Sequence, residues 1–142
     1  MNCGVRRGET GSTVVFVILL VVVVVGPVGG IAFELWRCFS AQIALTSAAD
    51  SAAAAGGNQI DIAAYRQRKP LRLDPDLAER VAAEDLAGQT DVPTLVYRHI
   101  RADEAQVRVE LRATVPLTFF GLFHDGPLVI AASSTGRPKE LT

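Results

Sequence analysis

The chain has 142 residues, 49% of them hydrophobic, and a formal net charge of −1 at pH 7. That length holds at most one ordinary domain with appendages, and so small a net charge excludes the global positive field of a nucleic-acid-binding protein. The only cysteines, Cys3 and Cys38, are too few for a disulfide framework.

Arg6 and Arg7 come first, and Val14–Phe33 then carries no charged residue. At ~1.5 Å per residue this run is about 30 Å long, enough to cross a hydrocarbon core. Two fates fit it. The aliphatic part, Val14–Val25, has the size of a signal-peptide core; Arg6 and Arg7 would precede it, and Val28-Gly29-Gly30 would offer a cleavage site after Gly26-Pro27. The residues after Gly30 favour a retained membrane helix. Ile31, Leu35, Phe39 and Ile43 recur at helical spacing, and the Ala-rich run from Ala48 to Ala55 continues them. Trp36 and Phe39 sit where interfacial aromatics belong. Pro27 removes one backbone donor and is expected to bend the helix.

The segments are therefore read as a cytoplasmic leader over 1–12 and a transmembrane helix with its Ala-rich extension over 13–57. Arg6 and Arg7 before the span, against a cancelling Glu34 and Arg37 after it, place the N-terminus in the cytoplasm and the remainder outside. The two thiols then face opposite sides of the membrane. Cys38 is read as unpaired, the alternative being a crosslink between two copies. Gly26, Gly30 and Glu34 share a face at four-residue spacing, a candidate helix-packing surface of the GxxxG kind. The competing reading is that glycines are ordinary in membrane helices and Pro27 disturbs this turn.

Gly56-Gly57 is expected to close the helix. A linker over 58–73 comes next, its Arg66, Arg68, Lys69 and Arg72 either solvated or meeting anionic headgroups. An extracytoplasmic domain is expected over 74–136. Asp74-Pro75-Asp76 predicts a helix start, with Leu77, Val81 and Leu86 as its buried side and Gly88 as its stop. Ala105, Val107, Val109, Leu111, Ala113 and Val115 alternate with polar residues, which predicts a half-buried strand. Thr94–Arg101 before it and Leu128–Ser134 after it are expected as its partners, joined by turns at Ala102–Glu104 and Asp125-Gly126. The fold class is α+β: a long N-terminal transmembrane helix, then a small antiparallel sheet packed with one helix, then a flexible tail over 137–142. Within the domain, Pro116–Phe123 concentrates Phe119, Phe120, Leu122 and Phe123. It reads equally as a lip for membrane or partner contact and as a loop folded under the sheet as core, or a further strand.

Constellations that carry chemistry are lacking. His99 and His124 fall on separate elements, and His124-Asp125-Gly126 is explained by turn propensity. Ser133 and Ser134 have no evident base. No phosphate loop, nucleophile elbow or metal-ligand spacing occurs, so the expectation is no enzyme, no metal, no cofactor and no small-molecule substrate.

A family resemblance is carried by two stretches: Arg7-Gly8-Glu9-Thr10-Gly11-Ser12-Thr13-Val14 leading into the aliphatic run, and "QIALTSAADSAAAAGG" over Gln42–Gly57. Together they resemble the TadE-like minor pilins or pseudopilins of tight-adherence (Tad/Flp) pilus assembly, over Arg6–Gly57. The resemblance implies insertion in the inner membrane, candidate processing after Gly8 or Gly11, and partnership with other pilin, pseudopilin or Tad-type subunits through the N-terminal helix. The family pattern also wants a glutamate five residues after the cut. Those places hold Thr13 and Phe16, so the chain reads as an accessory subunit rather than the repeating subunit of a fibre. The alternative function is a secreted binding domain released by cleavage near Gly30; a small anchored hydrolase using His99 or His124 ranks below both.

Overall fold

A computed structural model describes residues 9–67, 70–118, 121 and 126–139. Among these described residues, three helices and three strands run in the order α1 (Glu9–Gly57), α2 (Ile62–Arg66), α3 (Pro75–Gly88), β1 (Leu95–Ala102), β2 (Val107–Val115) and β3 (Leu128–Gly136). The α+β expectation holds: a long apolar N-terminal helix runs into a domain where an antiparallel sheet of order β1-β2-β3 packs against helices.

α1 is one helix of 49 residues with Pro27 inside it, about 73 Å long at ~1.5 Å per residue. Its two halves have different environments. Val14–Val25 is exposed along its whole length, whereas Leu45, Ala48, Ala49, Ala52 and Ala53 are buried in the domain. The buried face is made of small side chains, so the sheet approaches closely. Gly56 and Gly57 extend that face. A methyl group on Gly56 would lie 2.8 Å from the Ala78 carbonyl oxygen and 3.2 Å from Val107. The glycine pair thus does more than stop the helix: it lets α3 and β2 reach the backbone of α1.

β2 is central because its sequence alternates without a break. Val107, Val109, Leu111, Ala113 and Val115 are buried, and Arg108 and Arg112 are exposed. Ala105 belongs to the turn, where Asp103 accepts hydrogen bonds from the Ala105 and Gln106 amides. The pairing runs Val107↔Ala102 to Ala113↔Leu95 on one side, with an irregularity between Leu95 and Tyr97, and Val107↔Gly136 to Val115↔Leu128 on the other.

The start of α3 agrees with the sequence: Asp74 caps it, accepting from the Leu77 amide, and Pro75 occupies the first turn. Its buried side does not. Ala78, Ala82 and Leu86 are buried, while Leu77 and Val81 are only half-buried. The helix is turned by about one position relative to the expectation, since α3 meets α1 through alanines, as it would where two helices pack tightly. Glu79 ties α3 to the sheet by accepting from the Ala102 amide at 2.8 Å. Between α1 and α3, Asp61 caps the short α2, and Ile60 bridges Leu73. An ion pair between Arg72 and Glu104, 2.7 Å apart, fastens the connection to the β1–β2 hairpin. The core therefore runs through α1, Leu73, α3 and all three strands.

Candidate functional site

The apolar span is the first candidate surface. Side chains from Val14 to Val25 are 50 to 66% exposed. Leaving that many aliphatic groups in water would cost on the order of 10–20 kcal/mol, comparable to or above the whole stability of an ordinary domain. Lipid or partner helices must cover them. Among the described residues, this is the one helix long and apolar enough to cross a membrane.

From Ile31 onward, α1 carries two faces. Ile31, Leu35, Phe39 and Ile43, read from the sequence as one stripe, are 40%, 48%, 67% and 70% exposed. They do not pack the domain; they form an apolar ridge continuing the span past its end. Trp36 is also exposed, with its ring 6.3 Å from that of Phe33. A neighbouring face runs through Glu34, Cys38, Ala41 and Leu45 into the core. Cys38 is a half-buried free thiol against that core.

Glu34 is turned into its own domain. As the end of a packing face with Gly26 and Gly30 it would lie open to a second helix. It is instead 3% exposed, and its carboxylate accepts a hydrogen bond from the Thr118 amide. A carboxylate cannot be buried cheaply without such donors, so its own chain covers this place. Of the remaining two, Gly26 is open, with nothing within 4 Å of a methyl group placed there, and Gly30 is half-buried. Gly11 is also open. Gly8, Phe119, Phe120, Leu122, Phe123 and His124 lie outside the described residues.

Three ties fix where the domain sits along α1. Glu34 holds Thr118, the Gln42 side-chain amide donates to the Ala131 carbonyl at 3.0 Å, and Gly136 rests on the Ala53 carbonyl. From Gln42 to Ala53 is about 16 Å of helix, and from Ala131 to Gly136 about 17 Å of strand. β3 therefore packs nearly along the α1 axis. Extended back by the same spacings, Leu128 lies level with Leu35, ~3 Å beyond Phe33. The lower end of the sheet begins where the apolar span stops.

The outer face of the sheet is charged. Arg101 lies directly opposite Arg108, and His99 opposite Glu110. Tyr97 stacks near His99 and lies under the Arg112 guanidinium, 5.2 Å from its centroid. No group of three or more His, Cys, Asp or Glu able to hold a metal occurs among the described residues.

The helix also carries a family signature. Residues 11–59 match the family model described as Putative Flp pilus-assembly TadE/G-like. No curated protein and no solved structure matches the chain. The TadE/G-like segment covers the apolar span, the outward ridge and the small-residue face of α1, ending just past Gly57. Together with the membrane-span-like helix it supports a pilus-assembly subunit with a single candidate transmembrane helix. The sheet domain lies outside the match.

The sequence pointed to the span and to Gly26 and Gly30, but not to Glu34 or Gln42 as ties between helix and sheet.

Proposed function

We propose that the chain is a non-enzymatic, membrane-anchored subunit of the minor-pilin or pseudopilin kind, serving assembly of a tight-adherence-type pilus or a related secretion apparatus. α1 anchors it in the inner membrane with the N-terminus cytoplasmic and the sheet domain outside, in keeping with the Arg6 and Arg7 charge bias. The observation that carries this reading is the outward ridge of Ile31, Leu35, Phe39 and Ile43. It prolongs the span and leaves Phe39 and Ile43 uncovered beside the domain, so a helix of another assembly subunit can pack from the bilayer up to the level of the sheet. Gly26 and Gly30 offer a close approach within the membrane. Phe119, Phe120, Leu122 and Phe123 come directly after Thr118, which Glu34 holds at the membrane boundary, and are a further contact for the membrane or a partner. Processing after Gly8 or Gly11 by a prepilin-type peptidase belongs to the same reading.

Photo-crosslinking from Phe39 and Ile43 in membranes of the native host tests it. Crosslinks to a pilin, pseudopilin or Tad-type subunit, identified by peptide mass, are expected there and not from the core position Leu45. Exclusively lipid adducts at both sites would contradict the docking role. Replacing His99 and His124 by Ala is expected to leave pilus or secretion phenotypes unchanged, whereas loss of either phenotype in a folded double variant would favour a histidine-based activity.

A further inference from the structure

On the flank of α1 turned toward α3, the domain leaves an open groove of about 410 Å³. Trp36, Arg37 and Ser40 form its helical wall, and Asp91, Thr94 and Thr114 stand on the other side. We propose that this groove seats the headgroup of a zwitterionic phospholipid, with the phosphate toward Arg37 and the ammonium toward Asp91. The proposal rests on the reading that Val14–Phe33 crosses the bilayer.

Depth is the first argument. Trp36 lies ~4.5 Å and Arg37 ~6 Å beyond Phe33 along the helix axis. The headgroup layer occupies about 5–7 Å on each side of the ~30 Å hydrocarbon core, so both residues fall within it, and Ser40, ~10.5 Å beyond Phe33, stands just above it. The opposite wall is at matching depth, because Thr114 pairs with Val129 and its amide donates to the Thr94 carbonyl. Val129 is next to Leu128, which stands level with Leu35. The groove thus opens where lipid phosphates lie.

Charge is the second. Among the described residues the ion pair is that of Arg72 with Glu104; Arg37 and Asp91 are paired there neither with each other nor with another side chain. A guanidinium at this depth without a counter-ion matches a phosphate. The hydroxyl of Ser40, one turn above Arg37, adds a donor for its remaining oxygens. Asp91 in the same groove disfavours a headgroup with only negative charge and complements an ammonium. Below the groove, Phe33 and the aliphatic run offer a surface for the acyl chains.

The full chain reconstituted in nanodiscs of equal phosphatidylethanolamine and phosphatidylglycerol, then released for native mass spectrometry, tests the proposal. One retained phosphatidylethanolamine per chain is expected. Arg37→Gln lowers the bound fraction about tenfold, as loss of one charge-assisted hydrogen bond requires. Asp91→Asn removes the preference over phosphatidylglycerol, and Arg101→Gln on the outer sheet face changes nothing. Equal retention of both lipids by the unmodified chain, or retention unchanged in Arg37→Gln, would overturn it. Trp36 is the sole tryptophan, so quenching by headgroup spin-labelled phosphatidylcholine reports the span separately. Quenching without a retained lipid overturns the groove alone, and absence of quenching overturns both.

Discussion

Gly136 passes the Ala53 carbonyl so closely that a methyl group there would overlap the oxygen. Gly136→Ala therefore forces α1 and β3 apart and is expected to cost about 1–3 kcal/mol, read as a lowered urea midpoint of the full chain in detergent. Gly88 is the contrast: nothing lies within 4 Å of a methyl group there. Gly88→Ala is expected to raise stability by about 0.4–1 kcal/mol by restricting the unfolded chain. Glu34 presents a different residue-level problem, a carboxylate only 3% exposed beside the apolar span. Glu34→Leu removes the acceptor and strands the Thr118 amide, with an expected loss of about 1–3 kcal/mol. Glu34→Gln keeps an acceptor oxygen and should lose less; equal losses in the two variants would show that the hydrogen bond is not what matters. Gly88 was legible as the end of α3, but neither the Gly136 contact nor the Glu34 tie was. A glycine near a strand end and an acid after a membrane span are ordinary until the elements that approach them are known.

At the level of elements, β2 was the most legible because a period of two over nine residues has no helical counterpart. Its partners were legible from the turns. The helices were legible in extent but not in orientation. The large residues Ile31, Leu35, Phe39 and Ile43 of α1 and Leu77 and Val81 of α3 drew the expected contact faces. The actual core uses Ala48, Ala49, Ala52 and Ala53 of α1 together with Ala78 and Ala82 of α3. Close packing selects small side chains that hydropathy undervalues, and the paired repeat of Ala and Gly from Ala48 to Gly57 was the signal to weigh. The sheet also carries a local conflict in Arg101 opposite Arg108. Like charges directly across a strand pair destabilise it. Arg101→Glu is expected to gain about 0.2–1 kcal/mol at low ionic strength, shrinking as salt is raised; no gain would mean that both guanidinium groups are fully solvated.

For the molecule as a whole, the main consequence is that anchor and domain are not separate parts. The same α1 that exposes Val14–Val25 supplies Leu45 to Gly57 to the core, so the sheet is held at a fixed height and rotation above the span. A division between a transmembrane segment ending at 57 and a domain beginning at 74 was the natural reading of composition. Composition cannot show that one element serves both, because each half satisfies its own local pattern. A rigid connection of this kind suits a subunit that presents its domain to neighbours packed along the same helix, and it requires that the span be kept. The most direct measurement is the N-terminal residue of the mature chain recovered from the membrane fraction. Met1, Glu9 or Ser12, each with Val14–Phe33 intact, is the expected result. A chain beginning at Ile31 would mean that the span is a cleaved signal, and would contradict the anchored subunit proposed here.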